Sequence, residues 1–141
     1  MSGVKAFLDT NILIYLYSDS DSAKKEQVIQ AINQYERFVS TQVINEFCNV
    51  CIRKLKLPIA SVLDAVHEIT SACNILIVDD GIARAALVYC DKYRYSFYDS
   101  LILASALDGG CRYLLSEDMA DGQIIENRLI IKSIFSVKSS A

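Results

Sequence analysis

Short apolar runs of three to five residues recur along the chain, and each gives way to a longer stretch with helical periodicity. The runs are Val4–Leu8, Phe38–Ser40, Ile75–Val78, Tyr113–Leu115 and Leu129–Ile131. Segments this short and this apolar suit strands covered on both faces, as in a parallel sheet sandwiched by helices. The alternation restricts the chain to an α/β domain with a mostly parallel central sheet of about four to five short strands flanked by helices. In such sheets, sites collect beyond the carboxyl ends of the strands.

The intervening segments read as helices. Asp9 to Tyr17 is short, and Lys24 to Arg37 is amphipathic, with Val28, Ile29, Ile32 and Tyr35 on one side. Thr41 to Lys54 carries the stripe Ile44, Phe47, Cys48, Cys51, Ile52 and Leu55, stepping by threes and fours as a buried face does. Pro58 suits the first turn of a helix that turns Val62, Leu63, Val66, Ile69 and Cys73 inward. Asp79-Asp80 starts a helix running from Ile82 to Tyr93. Tyr98 to Leu107 is apolar almost all round, which predicts a central buried helix stopped by Gly109-Gly110. Leu129–Ile131 reads as a last edge strand. One domain is expected over residues 1–136, followed by a loose tail at 137–141.

Composition narrows the class further. The 141 residues can bury one substantial core, and a single Pro with five Gly leaves little room for disorder. No apolar run approaches the roughly 20 residues needed to cross a bilayer, and Asp9 interrupts any signal-like start. Five cysteines, an odd number, fit a reducing compartment, so a soluble cytoplasmic protein without a membrane partner is expected. Cys48 and Cys51 form a Cys-x-x-Cys, but no second pair completes a zinc site, and both lie on the apolar stripe. They read as packing. With 14 basic and 17 acidic residues, the chain lacks the basic excess of a nucleic-acid binder, unless positive charge is supplied locally.

Acids sit where such a site would form. Asp9, Asp79, Asp80 and Asp118 each follow a strand candidate, and Asp99 begins the central helix. Asp is a leading N-cap residue, and Ser96-Phe97-Tyr98-Asp99 resembles a capping box. For Asp79 and Asp80 capping is the preferred reading; for Asp9, Asp99 and Asp118 taken singly, both readings stay open. Glu46 is different. It lies inside a helix, where no cap is needed, on the face of Asn49, Val50 and Arg53. Carboxylates converging on one sheet edge repel one another unless a cation sits among them, and hard oxygen donors suit Mg²⁺ or Mn²⁺.

The segments "FLDTNILIY", "VINEF", "YDSLILASAL", "GCRYLLSEDMADGQ" and "LIIKSIF" resemble, in order and spacing, a PIN-domain ribonuclease. The similarity is nearest to the VapC-type toxins of toxin–antitoxin pairs and covers nearly the whole chain. It implies a single PIN-like domain and a metal-dependent endoribonuclease that hydrolyses RNA phosphodiesters to 5′-phosphate and 3′-hydroxyl ends. It assigns Asp9, Glu46, Asp99 and Asp118 as the catalytic acids. Mg²⁺ or Mn²⁺ would be held by Asp9, Asp99 and Asp118, with Glu46 direct or through water. Thr10 and Asn11 would support the turn after the first acid, and Ser116 is the small polar residue before the last. Glu117 and Asp121 read as turn and solvated residues. A homodimer and a small antitoxin that blocks the site are implied as partners.

Arg53, Lys54 and Lys56, and Lys92 and Arg94 ahead of Asp99, are candidate RNA contacts, with Tyr93, Tyr95, Phe97 and Tyr98 interleaved for stacking. Solvated-surface and core readings stand beside these. The main rival is a non-catalytic PIN-like RNA-binding or assembly module. A receiver domain would need a phosphoacceptor strand with downstream Thr and Lys, which is not evident. A haloacid-dehalogenase-type phosphatase would need Asp-x-Asp where this chain has Asp9-Thr10-Asn11. His67 is the only histidine and reads as exposed, which argues against a two-imidazole ribonuclease.

Overall fold

The computed structural model describes residues 3–135, so the expected tail at 137–141 lies outside the described residues. Strand β1 (Lys5–Leu8) runs into helix α1 (Thr10–Tyr17), followed by α2 (Ser22–Ile32) and β2 (Glu36–Ser40). Helices α3 (Thr41–Arg53) and α4 (Ile59–Ala72) lead to β3 (Asn74–Leu76), α5 (Asp80–Tyr93) and α6 (Phe97–Asp108). Strands β4 (Tyr113–Leu115), β5 (Ile124–Ile125) and β6 (Leu129–Lys132) follow.

The sheet has the order β3-β2-β1-β4-β6-β5, and every pairing but β5–β6 is parallel. The α/β class and the mostly parallel sheet agree with the sequence reading. Among the described residues six strands form rather than four or five, because Ile124–Ile125 pairs antiparallel with β6. Leu129–Lys132 is therefore not the edge strand; β5 covers it. The turn between them places Glu126 and Asn127 at φ 52° and 58°, closed by Arg128 N–H donating to the Ile125 carbonyl at 3.0 Å. Asn suits that conformation and Glu does not, so the turn is poorly signalled in sequence.

The helix expected through Arg37 ends at Ile32, and the chain enters β2 at Glu36, two residues before the expected strand. Phe38 and Val39 bury in the sheet and draw the preceding residues into register with Lys5 and Ala6 of β1. The α3 stripe holds at Phe47 and Cys51, both fully buried, but Ile52 is exposed. On α4, Val62, Ala65 and Ile69 face the core, whereas Leu63 is exposed and His67 lies on the open side as expected.

Helix α6 is the central element the sequence predicts: Ser100 through Leu107 are all buried. Gly110 ends it at φ +73°, where a side chain would be strained, and Cys111 N–H closes back to the Ala106 carbonyl at 3.0 Å. The main core gathers around Phe7, Leu8, Ile12, Phe47, Leu103, Leu114 and Ile131. No helix among the described residues is long and apolar enough to cross a membrane.

Strand order reverses at β1. The chain builds outward from β1 through β2 to β3, then returns to lay β4 on the other side of β1. In open α/β sheets that reversal leaves a crevice at the carboxyl ends of the two strands. Asp9 follows β1 there, and Ser116 follows β4.

Candidate active site

Asp9 caps α1 directly from the end of β1. Its Oδ1 accepts from Thr10 N–H at 2.7 Å, and its Oδ2 accepts from the Ser116 hydroxyl at 2.8 Å. The backbone seals the same junction, with Asp9 N–H donating to the Leu115 carbonyl at 3.1 Å. Ser116, fully buried, also accepts from Asp118 N–H at 3.3 Å, so one hydroxyl joins the first acid to the loop that carries the last.

Glu46 arrives from β2. Ser40 ends that strand and caps α3, its hydroxyl accepting from Val43 N–H at 3.3 Å. Glu46 sits six residues into the helix, and its Oε1 accepts from the Thr10 hydroxyl at 2.5 Å. Asp118 Oδ2 accepts from the Asn11 amide at 2.9 Å. Asp99 lies in the first turn of α6, where Ser96 caps by accepting from Asp99 N–H at 3.1 Å. Thr10 and Asn11 thus each hold an acid that stands more than 30 residues away in sequence.

The four acids of the sequence reading come together. Asp9, Glu46, Asp99 and Asp118 line one pocket of about 290 Å³ with Thr10, Asn11, Asn49 and Val50. Burial pushes the Asp9 carboxyl up from an ordinary 3.8 to about 6; Asp99 and Glu46 push the same way, against the donors Ser116 and Thr10. Asp99 is also raised, first by burial and then by the charges of Asp118 and Glu46, with Ser96 opposing. The pocket is crowded with negative charge. Even so, among the described residues no group of three His, Cys, Asp or Glu side chains is drawn together tightly enough to hold a metal ion.

The neighbouring acids serve other contacts. Both oxygens of Glu117 accept from the Tyr15 hydroxyl, at 3.1 and 2.9 Å, and Lys24 pairs with it at 3.4 Å. Asp121 accepts from Ser133 N–H at 2.8 Å. Asp79 caps α5, and exposed Asp80 pairs with Arg84 at 2.6 Å.

The basic candidates divide. Arg53 and Lys54 are exposed at the end of α3, and Arg53 follows pocket-lining Asn49 by four residues on one helix face. Lys56 is exposed too. Lys92 instead pairs with Glu126 at 2.6 Å, beside the Tyr93 hydroxyl on the same oxygen. Arg94 ends α5 in the left-handed region at φ 66°. Of the interleaved aromatics, Tyr98 is exposed. Tyr95 pins the loop after Asp118: its hydroxyl donates to Gln123 at 2.5 Å and accepts from Ala120 N–H at 3.1 Å.

Sequence reasoning passed over Gln42, whose amide donates to Glu46 Oε2 at 3.1 Å and to the Tyr98 carbonyl at 3.2 Å. Its place four residues before Glu46 was the available signal, since residues so spaced meet on a helix.

A family model described as PIN domain matches residues 6–120. No curated protein sequence matches the chain. Among solved structures, a toxin–antitoxin complex from Klebsiella pneumoniae is 20% identical at a TM-score of 0.71, covering 94% of this chain and 99% of that one. VapBC2 from Rickettsia felis, bound to a DNA fragment from its promoter, is 16% identical at a TM-score of 0.65, with coverages of 92% and 98%. The Mycobacterium tuberculosis toxin VapC20, which cleaves the sarcin-ricin loop, is 18% identical at a TM-score of 0.63, with coverages of 77% and 86%. At these identities the likeness is one of fold.

Proposed function

The chain belongs to the PIN domain family, and from that premise we propose that it is a Mg²⁺- or Mn²⁺-dependent endoribonuclease, the toxin of a toxin–antitoxin pair. The observation that carries this reading is the pocket at the strand-order reversal, where four acids from four separate segments meet. Nothing in helix capping requires Glu46 to be there. Two of the acids are raised partly by the charge of the others, a repulsion that a bound cation removes.

The donor set fits a hard, partly hydrated cation. Mg²⁺ characteristically keeps several waters, through which carboxylates can also hold it, so a tight cluster of three direct protein ligands is not required. Asp9, Asp99 and Asp118 would hold it, with Glu46 direct or through water. When bound, such an ion lowers the pKa of a water and neutralises charge on a phosphoryl group. The chain's own residues do the positioning. Ser116 and Thr10 N–H fix both oxygens of Asp9, the Thr10 hydroxyl aims Glu46, and Asn11 aims Asp118. Arg53, exposed beyond the pocket-lining face of α3, is the basic residue best placed to meet the RNA backbone.

The toxin role draws on the shared fold with toxin–antitoxin complexes, and the RNA substrate on the shared fold with a sarcin-ricin-loop-cleaving toxin. Exposed Leu63 on α4 and Leu87 and Val88 on α5 offer apolar surface for an antitoxin or a second copy of the chain.

The test is direct. Wild type and Asp99→Asn are incubated with a mixed RNA pool in Mg²⁺, Mn²⁺ or EDTA, and the product ends are mapped. Cleavage that needs metal, leaves 5′-phosphates and disappears in the variant is expected. Full cleavage in excess EDTA sinks the metal mechanism, and equal activity in both proteins restores the reading of a non-catalytic module.

A further inference from the structure

Gln42 stands outside the acid set, yet its side chain touches two of the segments that build it. One NH₂ group donates both to Glu46 Oε2 and to the carbonyl of Tyr98, the residue before Asp99. The other Glu46 oxygen is held by the Thr10 hydroxyl. Glu46 is thus gripped from α1 on one side and from its own helix on the other, and the second grip is tied to the start of α6.

The chemistry of the partners fixes which way the amide faces. A carboxylate oxygen and a carbonyl oxygen are both acceptors, so turning the amide over would set Oε1 against two lone pairs. The nitrogen must point at them. As a result Gln42 Oε1 is buried, and it meets no donor among the described protein groups. A buried acceptor left in that state weakens folding. The acceptors served by the nitrogen lie in part-buried and exposed surroundings, where solvent can hydrate them. Stability alone gives little reason to prefer this amide to an apolar side chain of equal length at position 42.

We propose that Gln42 is a positioning residue of the acid site: its amide sets the direction of the Glu46 carboxylate relative to the start of α6, and through it the affinity of the pocket for a divalent cation. This rests on the metal-dependent reading above. Partners that orient metal-binding groups are worth about 10- to 100-fold in metal affinity or activity.

The full chain is compared with Gln42→Met, which keeps length but has no donor, and Gln42→Asn, which keeps the amide one methylene short of both acceptors. Mn²⁺ affinity is measured by titration calorimetry, the metal-free thermal midpoint by calorimetric scan, and RNA cleavage by kcat and KM. In both variants Mn²⁺ is expected to bind about tenfold more weakly and kcat to fall, with KM for RNA within about twofold. The midpoint of Gln42→Met is expected close to that of wild type. Unchanged Mn²⁺ affinity overturns the proposal, as does an affinity loss that merely tracks a falling midpoint. If wild type binds Mn²⁺ but cuts no RNA, the nuclease reading fails while the Mn²⁺ comparison still decides the role of Gln42. If wild type binds no Mn²⁺, both fall.

Discussion

Asp9 and Asp79 perform the same local task in unlike surroundings. Each follows a parallel strand and caps the next helix, Asp9 by accepting from Thr10 N–H at 2.7 Å and Asp79 from Ile82 N–H at 3.0 Å. β1 is central in the sheet, whereas β3 is its edge. The central position puts Asp9 under cover and among Glu46, Asp99 and Asp118. The edge position leaves Asp79 exposed, in a hollow it shares with Arg128. Capping chemistry is common to both; topology decides which carboxyl is held against other negative charges.

Three experiments press on that contrast. The largest expected effect is on catalysis: Asp9→Asn should lower RNA cleavage by at least about a hundredfold, and Asp79→Asn should leave it within about twofold. Comparable losses in both would erase the distinction between cap and ligand.

The second effect is on stability against pH, measured by urea unfolding in EDTA at pH 4, 5, 6 and 7. The folded Asp9 carboxyl holds its proton up to about 6, while an ordinary carboxyl releases it near 3.8. A raised carboxyl weakens folding once ionised, so the contribution of Asp9 to wild-type stability should fall as pH rises from about 4 to 6 and then level off. Asp9→Asn escapes that loss, and its advantage over wild type should grow across this window to as much as roughly 3 kcal/mol. A difference that stays flat with pH would show that burial of Asp9 carries no charge penalty.

The smallest effects belong to the edge. Asp79→Ala should cost about 1 kcal/mol through the lost cap, with cleavage intact. Arg84→Ala should cost less than about 0.5 kcal/mol, because its pair with Asp80 is 73% and 83% exposed. Both are read from the same unfolding curves, and a larger loss at Arg84 would assign that exposed pair a structural weight its surroundings do not explain.

Much of this was legible because the chain states it locally. Tyr113–Leu115 announces a strand by being short and apolar, and Leu101–Leu107 announces burial by having almost no polar side. The acids were legible as candidates because they stand where strands stop. Their convergence was not, since spacing carries no distance; it follows from the reversal of strand order at β1, a property of the whole sheet. Ile124–Ile125 was missed because a two-residue strand shows no period and its turn uses Glu126 where the backbone favours Asn or Gly. Ile52 and Leu63 continue an apolar spacing beyond the width of the face that is covered. Gln42 escaped because half of its meaning lies in a contact with Tyr98, 56 residues away.

The Tyr95 hydroxyl has a consequence for how the acids can be perturbed. Tyr95 lies immediately before the cap that starts α6 and Asp99, and its far end clamps Ala120 and Gln123 behind Asp118. A single phenol ring therefore links the segments that carry two acids from different parts of the chain. Defects placed at both ends of that link should therefore overlap instead of adding.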